Sequence, residues 1–442
     1  MVRTLKTILL LTLVISLLTG CSADIGQTSA KSAKKPRETV TMLSFPDQSK
    51  EYFEAAVANA NIDFDLKIYE VPQNQYEDKV HMMLMAQEST DLILMDAPNI
   101  ASYAVLEVLE PLEKYWDKND FDDLIDTAKA SVIWNGHIWA APLNESSCLI
   151  FYNKRLFEEA GIIAPEKLED AWDMEQLLDA AKKLTKRDKE GNIVQYGIQP
   201  SMFAINNKNE GMAYTQMLFV WWFGGDILSP DRKTATGYFD SPQSIDAIRY
   251  YGELYYKHNV APDFEIVNGF ENGKIAMWIN GPWLLGIWKN NFPEFYNGGW
   301  GAMPLPGGSA SASPTGSWNI AITSQSKNKD KAWQIVSAIT GKEGMKIWCE
   351  GTGNIPARKS VLSQDKKYEI HPVYRLISEQ LKSNSRSRPV TPAYPEISEA
   401  IVDCFNSVAH GEDVEAAVKL ATQKINDALA VFGEIRLGPD GE

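Results

Sequence analysis

The sequence has few cysteines and few histidines, four and five in 442 residues. None of them forms CxxC, HExxH or any cluster at metal-ligand spacing, so a local metal site is argued against and no cofactor is expected. P-loop and nucleophile-elbow signatures are also missing, which removes the commonest local marks of an enzyme. Basic charge is in deficit: 43 Lys and Arg stand against 58 Asp and Glu, a formal net charge of -15. Nucleic acid and anionic membrane surfaces need a cationic face and are excluded as partners, and no basic or glycine-rich cradle is present for a phosphate ligand. No repeat at solenoid periods occurs, which favours a globule over an array.

What is present starts at the N-terminus. Arg3 and Lys6 precede an apolar stretch, Ile8 to Leu18, that is too short to span a bilayer, followed by Leu18-Thr19-Gly20-Cys21. This reads as a secretory signal over residues 1–20. The Cys21 context resembles a bacterial lipobox, which implies cleavage before Cys21, acylation there, and a protein held at the extracytoplasmic face of the cell membrane by its lipid. Residues 21–37 are Ser- and Lys-rich without apolar periodicity and are expected to be a flexible tether. Three cysteines remain, Cys148, Cys349 and Cys404. An odd number allows at most one disulfide, and buried free thiols are expected in a chain with so large a core.

With 44% hydrophobic residues the folded part can bury more than one core. Glu38 to Phe45 and Asp65 to Val71 are strand candidates, each followed by a helical pattern, and strand–helix alternation implies α/β architecture with a parallel sheet. Asp91 to Met95 is a continuous apolar run ending at Asp96-Ala97-Pro98, as expected of a strand buried on both faces. Its end is where open α/β sheets place ligands. Trp134 to Pro142 reads as a tight turn with a strand leaving it, and Leu149 to Tyr152 as a further strand. Tyr214 to Phe223 is apolar and aromatic. Ser241 to Tyr256, Asp330 to Ile339 and a stripe from Val414 to Leu429 are helical, and Trp318 to Ile322 is a strand.

The central stretch is Phe264 to Pro306. Two apolar segments, Ile275 to Ile279 and Leu284 to Trp288, are joined by Asn280-Gly281-Pro282-Trp283, and the Gly-Pro turn removes Trp283 from any regular ladder. Trp283 is then free to face a ligand, or it is core, as Trp278 and Trp288 are read to be. The order of motifs resembles the family 1 extracellular solute-binding proteins of ABC importers, the group around the maltose-binding protein. It consists of a phenylalanine with Gly-Lys, an Ala-Met strand, Gly-Pro-Trp, a strand ending Met-Pro-Leu-Pro-Gly-Gly, the earlier Tyr152-Asn153-Lys154 with Ala160-Gly161, and Gly351 to Arg358. One departure is Ala171-Trp172-Asp173-Met174, where the family has Thr-Trp-Asp-Glu, so Asp170 or Asp173 is expected to cap that helix.

The resemblance covers about residues 38 to 430. It implies two α/β lobes with chain crossovers near Asn144, Thr315 to Trp318 and Ser363 to Pro372, and a ligand cleft between them. The lobes are expected at 38–143 with 316–365, and at 144–315 with 366–442. It further implies a monomer that binds a carbohydrate and hands it to the transmembrane subunits of a permease. By position in the resemblance, Asp96 and Glu145 match hydroxyl-binding acids, Trp283 matches the stacking ring, and Tyr394 lies near a C-terminal aromatic of the group. A sugar needs rings for its C–H faces and carboxylates, amides or arginine for its hydroxyls. Of 13 Trp and 17 Tyr, Trp221, Trp222, Trp283, Trp318 and Tyr394 stand at turns beside small residues. The ligand-binding candidates are therefore Asp96, Glu145, Trp283, Trp222, Trp318 and Tyr394, with Cys21 for lipidation. Asp96 as a helix cap and Glu145 as a solvated hinge acid remain open. So do two other functions: the same fold binding a polyamine, and a secreted glycosidase using Asp96 and Glu145 as its carboxyl pair.

Overall fold

The computed structural model describes residues 37–45, 49–88, 90–307, 312–316 and 318–432. The signal segment, Cys21 and its tether up to residue 36, and part of the Gly/Ser/Pro loop after Gly307 lie outside the described residues.

Two five-stranded sheets organise residues 38–432. In the first, Thr39–Ser44 lies between Asp65–Glu70 and Leu92–Asp96 and runs parallel to both. Trp318–Ile322 then pairs antiparallel with Leu92–Asp96 and carries Ala141–Pro142 on its other edge. The register sets Trp318 opposite Asp96, because an antiparallel strand starts where its neighbour ends. Every residue of Leu92–Asp96 is buried, consistent with its unbroken apolar run.

The second sheet has the order Trp300–Met303, Leu149–Asn153, Ile275–Asn280, Ile193–Gln199, Lys186–Arg187. Ile193–Gln199 and Ile275–Asn280 are parallel and Leu149–Asn153 is antiparallel to its neighbours, so Gln199, Asn280 and Leu149 share one edge. The helices Glu210–Trp222, Pro242–Tyr256, Tyr394–Ala409 and Val414–Phe432 pack as one apolar core beside it. A smaller core around Phe270, Trp288 and Tyr374 covers Leu149 and Phe151, and the first sheet has its own core.

Local chemistry explains several of these elements. Asp173 caps Met174–Leu184 through a reciprocal box: Gln176 N–H donates to Asp173 Oδ1 at 2.8 Å and Asp173 N–H to Gln176 Oε1 at 2.9 Å. Ser241 and Pro242 start Pro242–Tyr256. The second apolar segment of the central stretch is a helix, Leu284–Asn291. Trp283 already has helical backbone angles and its carbonyl accepts from Gly286 and Ile287. Cys148, Cys349 and Cys404 are free and buried.

The lobes meet where the chain passes between the sheets. Asn144–Glu145 pairs antiparallel with Ile355–Pro356, while Ser313–Thr315 leads through Gly316 to Trp318 and pairs with Ser385–Ser387. Contact within the second lobe is close. A Cβ on Gly197 would lie 2.0 Å from the carbonyl oxygen of Ala181. Gly197→Ala should therefore destabilise by about 1–3 kcal/mol through forced backbone separation, read as a lower urea midpoint at unchanged slope.

Candidate functional site

A cavity of about 640 Å³ lies between the two sheets. The first lobe supplies Phe45, Asp96 and Trp318 from its sheet edge, and the second supplies Gln199, Asn280 and Trp283. The Trp318 and Phe45 rings are 4.5 Å apart between centroids. Trp283 is half-buried and its indole folds back over Gly281, whose hydrogen a methyl could not replace: a Cβ there would meet the ring at 2.1 Å. The turn glycine is thus required by the ring. Trp278, read from sequence as core, is half-buried in the cavity wall with its indole N–H donating to Ser201 O at 3.1 Å. Trp288 is fully buried, as read.

At the floor a guanidinium joins the lobes. Arg388 donates from Nη2 to Asp96 Oδ1 and from Nη1 to Asp96 Oδ2, both at 2.5 Å, and from Nη1 to Glu210 Oε1 at 2.7 Å. It lies over the Tyr214 ring at 4.9 Å, and its Nε is buried without a partner among the described residues. Charge-assisted bidentate geometry makes this a strong polar contact between the lobes. Asp96 therefore does not cap the following turn, and no side-chain cap bond is formed there. Glu210 begins the Glu210–Trp222 helix and also accepts from Tyr394 Oη and Ser398 Oγ. Burial pushes its carboxyl above the usual range, opposed by Arg388.

Of the residues singled out in the sequence, Asp96, Trp283 and Trp318 border the cavity, whereas Glu145, Trp222 and Tyr394 do not. Glu145 is buried in the hinge, where it accepts from Thr127 Oγ1, from Ser146 N–H at 2.9 Å and from Gly316 N–H at 3.1 Å. It ties two of the chain crossings together and is not the solvated acid considered above. Burial raises its pKa, opposed by these donors. Trp222 ends the helix whose first residue, Glu210, enters the cavity; twelve residues at 1.5 Å rise put it about 18 Å away. There its Nε1–H donates to Ala312 O at 3.2 Å. Tyr394 is fully buried behind Glu210.

Arg388, Glu210, Tyr214, Trp278 and Glu77 were not picked out from the sequence. Only Arg388 carried a local sign, a cation set immediately before the helix-breaking Pro389-Val390-Thr391-Pro392.

Glu77, half-buried on the cavity wall, accepts from Tyr103 Oη at 3.2 Å. Burial, then the charges of Asp96 and Glu210, push its carboxyl up to about 8 from 4.5. The folded state then binds more protons than the unfolded chain between those values, so this group's contribution to stability is full below about 4.5 and is lost as pH rises through about 8. Glu77→Gln should flatten the fall in stability across that window, measured as urea midpoints from pH about 5 to about 8.

Residues 51–373 match the family described as bacterial extracellular solute-binding protein. The chain belongs to this family. A solute-binding protein of an ABC transporter from Thermotoga lettingae, solved with α-D-tagatose, superimposes with a TM-score of 0.78 at 26% identity, covering 89% of this chain and 100% of that one. The maltotriose-binding protein of Pyrococcus abyssi is 24% identical over 375 residues, 82% of this chain and 75% of its own length. The Thermus thermophilus maltotriose-binding protein, at 20% identity and a TM-score of 0.72, covers 88% of this chain and shares the fold, two α/β lobes with an interlobe cleft. As an extracellular solute-binding protein the chain is a transport binding protein and not an enzyme, acting outside the cytoplasm. Among the described residues no helix is long and apolar enough to cross a membrane.

Proposed function

We propose that this solute-binding protein captures a carbohydrate, an oligosaccharide of a few units, and delivers it to the transmembrane subunits of an ABC permease while held to the membrane by acylated Cys21. The observation that supports it most is the cavity lining: Trp278, Trp283 and Trp318 present rings beside Asp96, Asn280 and Arg388, the pairing of faces and polar groups that a sugar requires. The sugars bound by the relatives support the same class. We assign Asp96, Trp283 and Trp318 as ligand contacts, Glu145 as a hinge tie and Tyr394 as the support of Glu210. The lobes are taken as 38–143 with 316–365 and 144–315 with 366–442.

A thermal-shift screen of mono- to tetrasaccharides tests the ligand class. A ligand at a hundred times its Kd stabilises by about 2.7 kcal/mol. Shifts with spermidine and none with any saccharide would overturn the reading in favour of a polyamine. For the anchor, Cys21→Ala should leave the protein unacylated, either released or stranded with its signal segment uncleaved. A mature N-terminus other than lipid-modified Cys21 by mass spectrometry would refute it.

A further inference from the structure

Among the described residues that line the cavity, six acids, Glu77, Asp78, Asp96, Glu210, Glu265 and Glu271, stand against two cations, Lys208 and Arg388. Glu77 from the Gln73–Met85 helix, Asp96 from the first sheet and Glu210 from the second lobe converge on one cation, Arg388. Both terminal nitrogens of Arg388 are taken by Asp96 and Glu210. Glu77 is left facing Asp96, Glu210 and Arg388 across the cavity, with Asp78 beside it on its own helix and, among the described residues, the phenol of Tyr103 as its donor. The wall further out repeats the imbalance. Glu265 and Glu271 line it, and the second lining cation, Lys208, is directed to Asp403. A concave surface with an excess of one sign concentrates counter-charge, and a carboxylate out of water is costly unless paired. Burial and the charges of Asp96 and Glu210 push the Glu77 carboxyl up to about 8, which favours its protonated form in the empty protein at neutral pH.

A neutral sugar hydroxyl hydrogen-bonds to a carboxylate but leaves the charge as it was. An ammonium group in the same place removes it. Resting on the carbohydrate reading above, we propose that the preferred ligand is an amino sugar, bound with its free ammonium against Glu77 and its ring against the tryptophans. Acetylation of that nitrogen would abolish the charge and add bulk, so the free amine is what the site selects. Binding displaces the proton of Glu77 into solvent, which leaves an ion pair where a neutral carboxyl stood.

The test runs glucose, galactose and mannose mono- to trisaccharides beside their 2-amino-2-deoxy and N-acetylated counterparts in titration calorimetry at neutral pH. The best free-amine compound should bind about tenfold or more tightly than both of its counterparts, the scale of one charge-assisted hydrogen bond. Its binding heat should vary with the ionisation enthalpy of the buffer, reporting proton release. Glu77→Gln should bring the amine preference to within about twofold and abolish the buffer dependence. A purely packing role for Glu77 would move neither selectivity nor proton release. Neutral or N-acetylated sugars binding as well as amines, with Glu77→Gln unchanged in selectivity, would overturn the inference and leave the carbohydrate reading intact. Failure of every saccharide would overturn both.

Discussion

Arg388→Leu should destabilise the empty protein by about 3–5 kcal/mol, the cost of removing one partner of a buried ion pair and stranding the other. Here two carboxylates lose their cation, Asp96 and Glu210, although Glu210 keeps the hydroxyls of Tyr394 and Ser398 as donors. Leucine matches the arginine stem in apolar bulk, so the loss reads the charge and its hydrogen bonds and is not chiefly a cavity term. Adding Asp96→Asn to the variant removes one stranded charge and should return part of the loss, a coupling that urea denaturation of the two single variants and the double variant measures directly. Because the guanidinium ties a residue of the first sheet to a helix of the second lobe, the single variant should also open the cleft, with a larger radius of gyration in small-angle scattering. A stability change within about 0.5 kcal/mol, the range of an ordinary surface substitution, would show that the pair carries no structural weight.

The second large effect is on the ligand. Trp283→Ala should weaken binding of the carbohydrate by about 1–3 kcal/mol, roughly 5- to 150-fold in Kd, the range for a buried aromatic anchor. The unliganded protein should lose less than the about 3–5 kcal/mol expected of a fully buried tryptophan, because the ring is half-buried and one face lines the cavity. It does touch protein on the other side: it packs against both cores of the second lobe, and Tyr214 is 6.5 Å away between ring centroids. Calorimetric affinity and urea stability on this one variant separate a cleft role from a core role. Full core-sized destabilisation with unchanged affinity would remove Trp283 from the site.

The family and the two-lobed α/β fold were legible in the chain, because they depend on patterns short enough to survive in sequence. The apolar run before Asp96 required a strand buried on both faces, and Asp96 accordingly ends a fully buried strand. Gly281-Pro282 required a break in the ladder, and Trp283 stands at that break over the one residue small enough to lie under it. Trp318 begins a strand whose register sets it beside Asp96. Two candidates stand away from the cavity for another reason. Trp222 stands beside turn glycines, as Trp283 does, but it ends a 13-residue helix whose other end reaches the cavity, and helix length, not local composition, sets it away from the cavity. Glu145 occupies the expected place in the chain order, yet its oxygens are consumed by donors from Thr127, Ser146 and Gly316.

By itself the sequence determined where strands end, where turns break them and which of the rings stand at turns, since these follow from backbone sterics and hydrophobic periodicity within a few residues. Only the tertiary structure decided which groups meet. Arg388 reaches Asp96 across 292 positions, Glu210 joins them from a third segment, and Glu77 faces all three from a fourth. Nothing local to any of these residues specifies the encounter. It results from chain crossings that fold two sheets toward each other, and the charge balance of the cavity exists only after they have done so.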